Sequence, residues 1–361
     1  VTFGAVVDTL GDLDGDGKSE FLISASDEAN GTLNGAGAVY VYSGADARVL
    51  YTVRGSGQGD HLGTAACRAG DVDADGVPDF AVGALDDNVP GFRDGGSAQV
   101  FSGRDGRVLL TLRGERIADF LGATLESMGD LNGDGHDDLL VGVAGRLDQT
   151  GRWVGALVVH SGLDGRVLLT SYGERVGGVL GLQNTCVLGD LDGDGRADYM
   201  GLEFANNAPA RIFSGADGRE LRRHLVGNAN SVTLSAAPDM NGDGVPDYAF
   251  GWSNGGTAQA GLVQVLSGRD GSALHEFLGS RSGTIGLGAN LASVDDVDGD
   301  GYDDLLADIG YADGPAGTQL GAVRAFSGRD GHVVLTALGS QPSEHLGRLD
   351  IGGGHDVNGD G

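Results

Sequence analysis

One nine-residue string constrains this chain more than any other feature. DLDGDGKSE at 12–20 returns as DVDADGVPD (71–79), DLNGDGHDD (130–138), DLDGDGRAD (190–198), DMNGDGVPD (239–247) and DVDGDGYDD (296–304), and begins again as DVNGDG at 356–361. Successive starts lie 59, 59, 60, 49, 57 and 60 residues apart. A second string recurs six times between them: VYVYSGADA, AQVFSGRDG, LVVHSGLDG, ARIFSGADG, VQVLSGRDG and VRAFSGRDG, each followed by a short apolar run such as VLLTL at 108–112. A period of this length marks a chain built from one repeated supersecondary unit.

The second unit shows how a repeat folds. LGTAACRAG (62–70) reads as a small-residue strand, which the acidic loop turns into DFAVGA (79–84). After a variable loop (85–96), SAQVFS (97–102) reads as a strand, SGRDG as a tight hairpin turn and VLLTL as a fourth strand. Short β-branched runs punctuated by Gly and Asp argue against helices. Four short strands per repeat are the pattern of a β-propeller. A β-sandwich or solenoid competes with it, but a sandwich rarely repeats its sequence so faithfully. The expectation is an all-β chain, a single domain over 1–361. Its seven four-stranded blades each carry a calcium loop in the first hairpin. The repeats run over 1–59, 60–118, 119–177, 178–227, 228–284, 285–343 and 344–361, the seventh cut inside its acidic loop. The short fourth repeat loses its residues around FANNAPA (204–210).

Composition narrows the function. The 69 glycines have no three-residue period and Pro numbers only 7, which excludes collagen. Apolar residues make up 40%, enough for a core. The net charge is −29, from 52 acids against 23 bases. Such a field repels nucleic acid and anionic lipid and attracts cations. No run of 18 apolar residues suggests a membrane span. The chain opens on Val1 rather than Met and reads as a piece of a longer precursor. Cys67 and Cys186 are too few for a disulfide scaffold, and free, buried thiols are expected.

The acidic string carries the chemistry. Alternate carboxylates in a tight loop converge on one point, and that many acids so close repel one another. A hard divalent cation with oxygen ligands resolves this, and calcium tolerates irregular geometry better than magnesium. The side-chain ligands expected are Asp12, Asp14, Asp16 and Glu20; Asp71, Asp73, Asp75 and Asp79; Asp130, Asn132, Asp134 and Asp138; Asp190, Asp192, Asp194 and Asp198; Asp239, Asn241, Asp243 and Asp247; Asp296, Asp298, Asp300 and Asp304; and Asp356, Asn358 and Asp360. Position seven holds Lys18, Val77, His136, Arg196, Val245 and Tyr302. A side-chain ligand could not vary like that, whereas a backbone carbonyl could. Position six is Gly throughout, as a backbone at positive φ requires, and position two is always apolar, expected to pack under the loop. The last acid at position nine, probed against an EF-hand's Glu at twelve, excludes an EF-hand. The expected role is structural, a clamp on the first hairpin by several Ca2+ ions, up to one per blade, drawn from an extracellular supply.

These residues resemble the integrin-alpha FG-GAP repeats, including bacterial relatives. The pieces that carry the likeness are FGAVV (3–7), FLGAT (120–124), GDLNGDGHDDLLVG (129–142) and GDVDADGVPDFAVGA (70–84), and it extends over essentially the whole chain. The resemblance implies a seven-bladed propeller with calcium in the first hairpin of some blades. The family's phenylalanine is replaced by His61, Val179 and His345 in three repeats. No part reads as a membrane anchor, so the receptor role of animal integrins is not implied.

No catalytic constellation stands beside the loops. The eight histidines are scattered, SGRDG is no nucleophile elbow and no GK[ST] marks a phosphate loop. Variable loops between second and third strands hold Phe92, Arg93, Arg152, Trp153, Trp252 and Tyr311, types suited to stacking on sugars or anchoring a protein. The expectation is a non-enzymatic, secreted or cell-surface adhesion and recognition module with a protein or glycan partner. A lectin-like propeller is the alternative, and a calcium-dependent polysaccharide lyase, with Arg152 and Arg324 as its cations, a third.

Overall fold

The computed structural model describes residues 3–204, 209–227, 232–256, 260–279, 286–310, 312–313, 319–341 and 346. Within them lie six antiparallel four-stranded sheets, each in simple chain order. The first holds β1 (Val7–Gly11), β2 (Glu20–Ala25), β3 (Ala38–Tyr42) and β4 (Val49–Arg54). The second holds β5 (Ala65–Gly70), β6 (Asp79–Ala84), β7 (Ser97–Phe101) and β8 (Val108–Arg113). The third holds β9 (Leu121–Gly129), β10 (Asp138–Val143), β11 (Ala156–His160) and β12 (Val167–Tyr172). The fourth holds β13 (Val179–Val187), β14 (Tyr199–Phe204), β15 (Pro209–Phe213) and β16 (Glu220–Leu225). The fifth holds β17 (Val232–Ala237), β18 (Asp247–Trp252), β19 (Leu262–Leu266) and β20 (Ala273–Leu278). The sixth holds β21 (Leu287–Val294), β22 (Asp304–Ile309), β23 (Ala322–Phe326) and β24 (Val333–Leu338).

Such sheets are propeller blades, and the described residues hold six of them. The expectation of seven is thereby corrected. A blade needs four strands with their turns, and the seventh repeat contributes only 344–361, of which Leu346 alone is described. By contact the chain divides into two compact units. One comprises Val1–Val187 and Gly201–Gly227, the other Leu188–Met200 and Asn228–Gly354.

Within each unit the strands reflect their place in the blade. β6 and β10 are buried at every position, because neighbouring sheets cover both their faces. Their Ala, Val and Gly content suits that confinement. In the first unit Leu10, Leu22, Val39, Phe80 and Val82 form one core cluster, and Val100, Leu125, Leu139, Val141 and Val158 another. In the second unit Val263, Val265, Leu291, Leu305 and Phe326 do the same. Burial of this apolar surface, at about 25 cal/mol per Å2, is the main cohesive force between blades.

Glycine sets the spacing of consecutive blades. Gly37, Gly96, Gly155, Gly261 and Gly321 each enter a third strand and pair in parallel with Leu62, Leu121, Leu180, Leu287 and Leu346 of the following repeat. A Cβ on Gly37, Gly96, Gly155 or Gly261 would run into the backbone of that leucine. A second recurrent device is a register shift one residue before the end of every third strand, beside the Ser-Gly turn. Cys67 and Cys186 are free and buried, as expected. Burial, with the Glu126 and Asp8 carboxylates nearby, pushes the Cys67 thiol up and keeps it protonated.

Candidate metal loops in the first hairpin

In all six described repeats the acidic string is the connection between first and second strands. Its first Asp organises the loop. Asp12 Oδ1 accepts the N–H groups of Gly15 and Asp16 at 2.7 and 3.1 Å, and its Oδ2 that of Gly17 at 2.9 Å. Asp130, Asp190 and Asp296 repeat this three-bond pattern. Asp71 and Asp239 accept from positions five and six. The backbone curls around the carboxylate because position six turns left-handed, with φ from 83° to 92° at Gly17, Gly76, Gly135, Gly195, Gly244 and Gly301. Position four does likewise, and Ala74 is held there at φ 59°. The fifth-position carboxylates, Asp16, Asp75, Asp134, Asp194, Asp243 and Asp300, accept the N–H of position seven at 2.9–3.1 Å.

The ninth residue has a second role that the sequence reading missed. Glu20, Asp79, Asp138, Asp198, Asp247 and Asp304 are completely buried. Each accepts the N–H of position two, from Leu13, Val72, Leu131, Leu191, Met240 and Val297, at 2.6–3.0 Å. Asp79, Asp138, Asp247 and Asp304 also accept the N–H of the Ser-Gly turn, from Gly103, Gly162, Gly268 and Gly328, at 2.9–3.1 Å. One buried carboxylate thus staples the acidic loop to the turn between third and fourth strands. The signal was present in the sequence, since an acid opens or immediately precedes every second strand. Desolvation pushes Asp79 and Asp247 up to about 6, and raises Glu20, Asp138 and Asp304.

Four loops gather three carboxylate oxygens within 4.8 Å of one another: Asp12, Asp14 and Glu20; Asp71, Asp73 and Asp79; Asp190, Asp192 and Asp194; Asp296, Asp298 and Asp300. Among the described residues the third and fifth loops form no such group of His, Cys, Asp or Glu. Both carry Asn at position three. Asn132 Nδ2 donates to both oxygens of Asp138 at 3.2 Å, filling the loop with an amide. Asn241 Oδ1 accepts the N–H of Asp243 at 2.9 Å. Asp356, Asn358 and Asp360 lie outside the described residues.

The donor set fits a hard divalent cation. Glu20 Oε1 and Asp73 Oδ1 are buried oxygens with no hydrogen-bond partner, one in each of the first two loops. A buried acceptor left unmade is costly, and a cation is what a carboxylate in this setting lacks. Position two packs under the loop as expected at Leu13, Val72, Leu131 and Met240, all buried. Val297 departs from it, being 51% exposed. Leu13 and Val72 come close to Gly103 and Gly162 of the following repeat's turn. No such turn is described after the sixth sheet.

The residues expected to contact a ligand are spread over several loops at the opposite end of the sheets. Phe92 closes its loop through a bridge with Val89, and Trp153 does so with Leu147. Trp153 is 47% exposed and donates Nε1–H to the Ala144 carbonyl at 2.9 Å. Arg93 and Arg152 pair with Asp94 and Asp148 at 3.2 and 2.6 Å. Trp252 ends β18, tilted against Phe250 at 5.7 Å. Tyr311 lies outside the described residues.

The class follows from these observations: an all-β propeller chain of four-stranded blades with acidic first hairpins. The FG-GAP repeat model matches residues 3–42 and 125–158. Integrin alpha-5 of Xenopus laevis is 28% identical over 244 residues, 66% of this chain and 19% of that protein. Integrin alpha-V of Gallus gallus is 25% identical over 245 residues, again 66% and 19%. The chain carries FG-GAP repeat matches and resembles the propellers of integrin alpha chains. It spans about a fifth of the length of these curated relatives. Among solved structures, BBS1N in complex with ARL6DN, soaked with lead, aligns with a TM-score of 0.58 at 12% identity, over 95% of this chain and 84% of that one. The mercury-soaked crystal of the same complex gives 0.54 at 10% identity, over 94% and 82%. At these identities the likeness concerns the fold alone. No helix among the described residues is long and apolar enough to cross a membrane.

Proposed function

We propose that this chain is a calcium-stabilised, non-catalytic recognition module of an extracellular or cell-surface protein, taking an adhesive protein or glycan as partner. The observation that carries the metal reading is the first loop, where Asp12, Asp14 and Glu20 converge around a buried, unpartnered Oε1. Calcium would be held by the side chains at positions one, three, five and nine and by the carbonyl at position seven, here Lys18. The ion neutralises the carboxylates and fixes the first hairpin, which stabilises the fold by linkage. Loops with Asp at position three bind more strongly than those with Asn132 or Asn241.

Recognition is assigned to the second-to-third strand loops because rigid blades present them while their sequences vary. The integrin alpha likeness supports an adhesive partner. Trp153, nearly half exposed, favours a glycan as the second reading. Both are tested by probing the chain against a glycan array and a panel of extracellular-matrix proteins, in millimolar calcium and in chelator. Capture of one class, lost in chelator and weakened in Trp153→Ala, is the expected result. A folded, calcium-loaded chain that captures nothing would overturn the recognition role.

A further inference from the structure

The Ser-Gly turns bring cations to some acidic loops and not to others. In the second repeat Arg104 Nε lies 2.5 Å from Asp75 Oδ2, and its NH2 donates to the Asp75 carbonyl at 2.9 Å. Arg107 NH2 lies 2.7 Å from Asp73 Oδ2. Both arginines are anchored on the turn, where Asp105 accepts the Arg107 N–H at 3.1 Å and pairs with its NH1 at 3.0 Å. Elsewhere the arrangement is thinner. Arg48 meets Asp14 at 2.9 Å, Arg269 meets Asp243 at 3.1 Å, and His332 lies 3.5 Å from Asp298. In the third repeat exposed Leu163 stands where Arg104 does, and Asp134 Oδ2 takes only the Ser161 hydroxyl at 3.4 Å.

We propose that Arg104 and Arg107 are tethered counter-cations that hold down the divalent-cation affinity of the second loop. This rests on the reading that the acidic loops bind calcium. The geometry supplies the reason. Both oxygens of Asp75 are already engaged, Oδ2 by Arg104 and Oδ1 by the Val77 N–H at 2.9 Å. Asp73 keeps only its buried Oδ1 unpartnered. An incoming ion must therefore displace one guanidinium and endure the charge of the other, while the metal-free loop is held together without it. The second loop would fill last among the loops with Asp at position three, although its donor set is among the richest of the six.

The test is calcium bound per chain, measured by equilibrium dialysis over a calcium series, for the wild-type chain, for R104Q/R107Q, and for both with D73N added. The arginines are exposed, so folding should survive, and circular dichroism checks it. One ion per chain should move to about tenfold lower calcium in R104Q/R107Q, in keeping with two exposed ion pairs. With D73N present that shift should vanish. An unchanged or weakened affinity in R104Q/R107Q overturns the proposal while leaving the calcium reading intact. A shift that persists with D73N also overturns it, since the arginines would then act on another loop. A wild-type chain that binds no calcium removes the calcium reading itself.

Discussion

The first and third acidic loops have nearly the same backbone and opposite needs. In both, the opening Asp accepts three N–H groups and the ninth residue is a buried carboxylate that accepts the position-two N–H. They differ at position three, Asp14 against Asn132, and at position nine, Glu20 against Asp138. Asn132 turns its amide onto Asp138 and closes the loop on itself. Asp14 has no amide to offer, and Glu20 Oε1 is left buried without a partner. Amide for carboxylate at position three, and Asp for Glu at position nine, separate a loop closed on itself from one that leaves a buried oxygen for a cation. The repeat therefore encodes a clamp, and positions three and nine together set how far it closes without an ion.

The comparison can be broken most severely at the staple. Asp138→Ala leaves the N–H groups of Leu131, Asn132 and Gly162 buried without an acceptor. Stability of the metal-free protein should fall by about 3 kcal/mol, as read by urea unfolding in chelator. Asn132→Asp gives the third loop the position-three and position-nine carboxylates of the second and sixth loops. The metal-free protein should lose about 2 kcal/mol and recover it in millimolar calcium. Recovery without calcium would show that the amide matters little.

A pH series sharpens the same contrast. The carboxyls of Asp79 and Asp247, pushed up to about 6 by burial, bind protons in the folded chain that the unfolded chain has released above about 4. Their contribution is therefore favourable at low pH and is lost as pH rises from about 4 through about 6. Metal-free protein should lose on the order of 1–3 kcal/mol per residue across that window. Calcium should flatten the profile, because the ion stabilises the ionised form. The smallest effect belongs to Ala74→Gly, which relieves a left-handed backbone. A gain of about 0.5 kcal/mol is expected from thermal melting, against strain of roughly 1 kcal/mol offset by unfolded-state entropy.

Much of the blade was legible in the repeat. DFAVGA at 79–84 is β6 residue for residue, and SAQVFS and VLLTL differ from β7 and β8 by one residue each. The alternation of acids announced the loop, and its invariant Gly the left-handed turn. Other features were hidden because they join residues far apart in the chain. The staple from Asp79 to Gly103 spans 24 positions, and Gly37 meets Leu62 only across two blades. Their trace in the sequence is recurrence alone: an acid at or just before the start of each second strand, a Gly just before most third strands. Counting acidic strings also overstated the blades, since a string marks one hairpin and a blade needs two.

The most direct test of the central claim is the melting temperature of the wild-type chain in excess chelator and in millimolar calcium. Calcium binding only to the folded form predicts a rise of several degrees that grows with calcium concentration. Superimposable melts in the two conditions would contradict it, and would leave the acidic loops as turns held by their own backbone and by arginine.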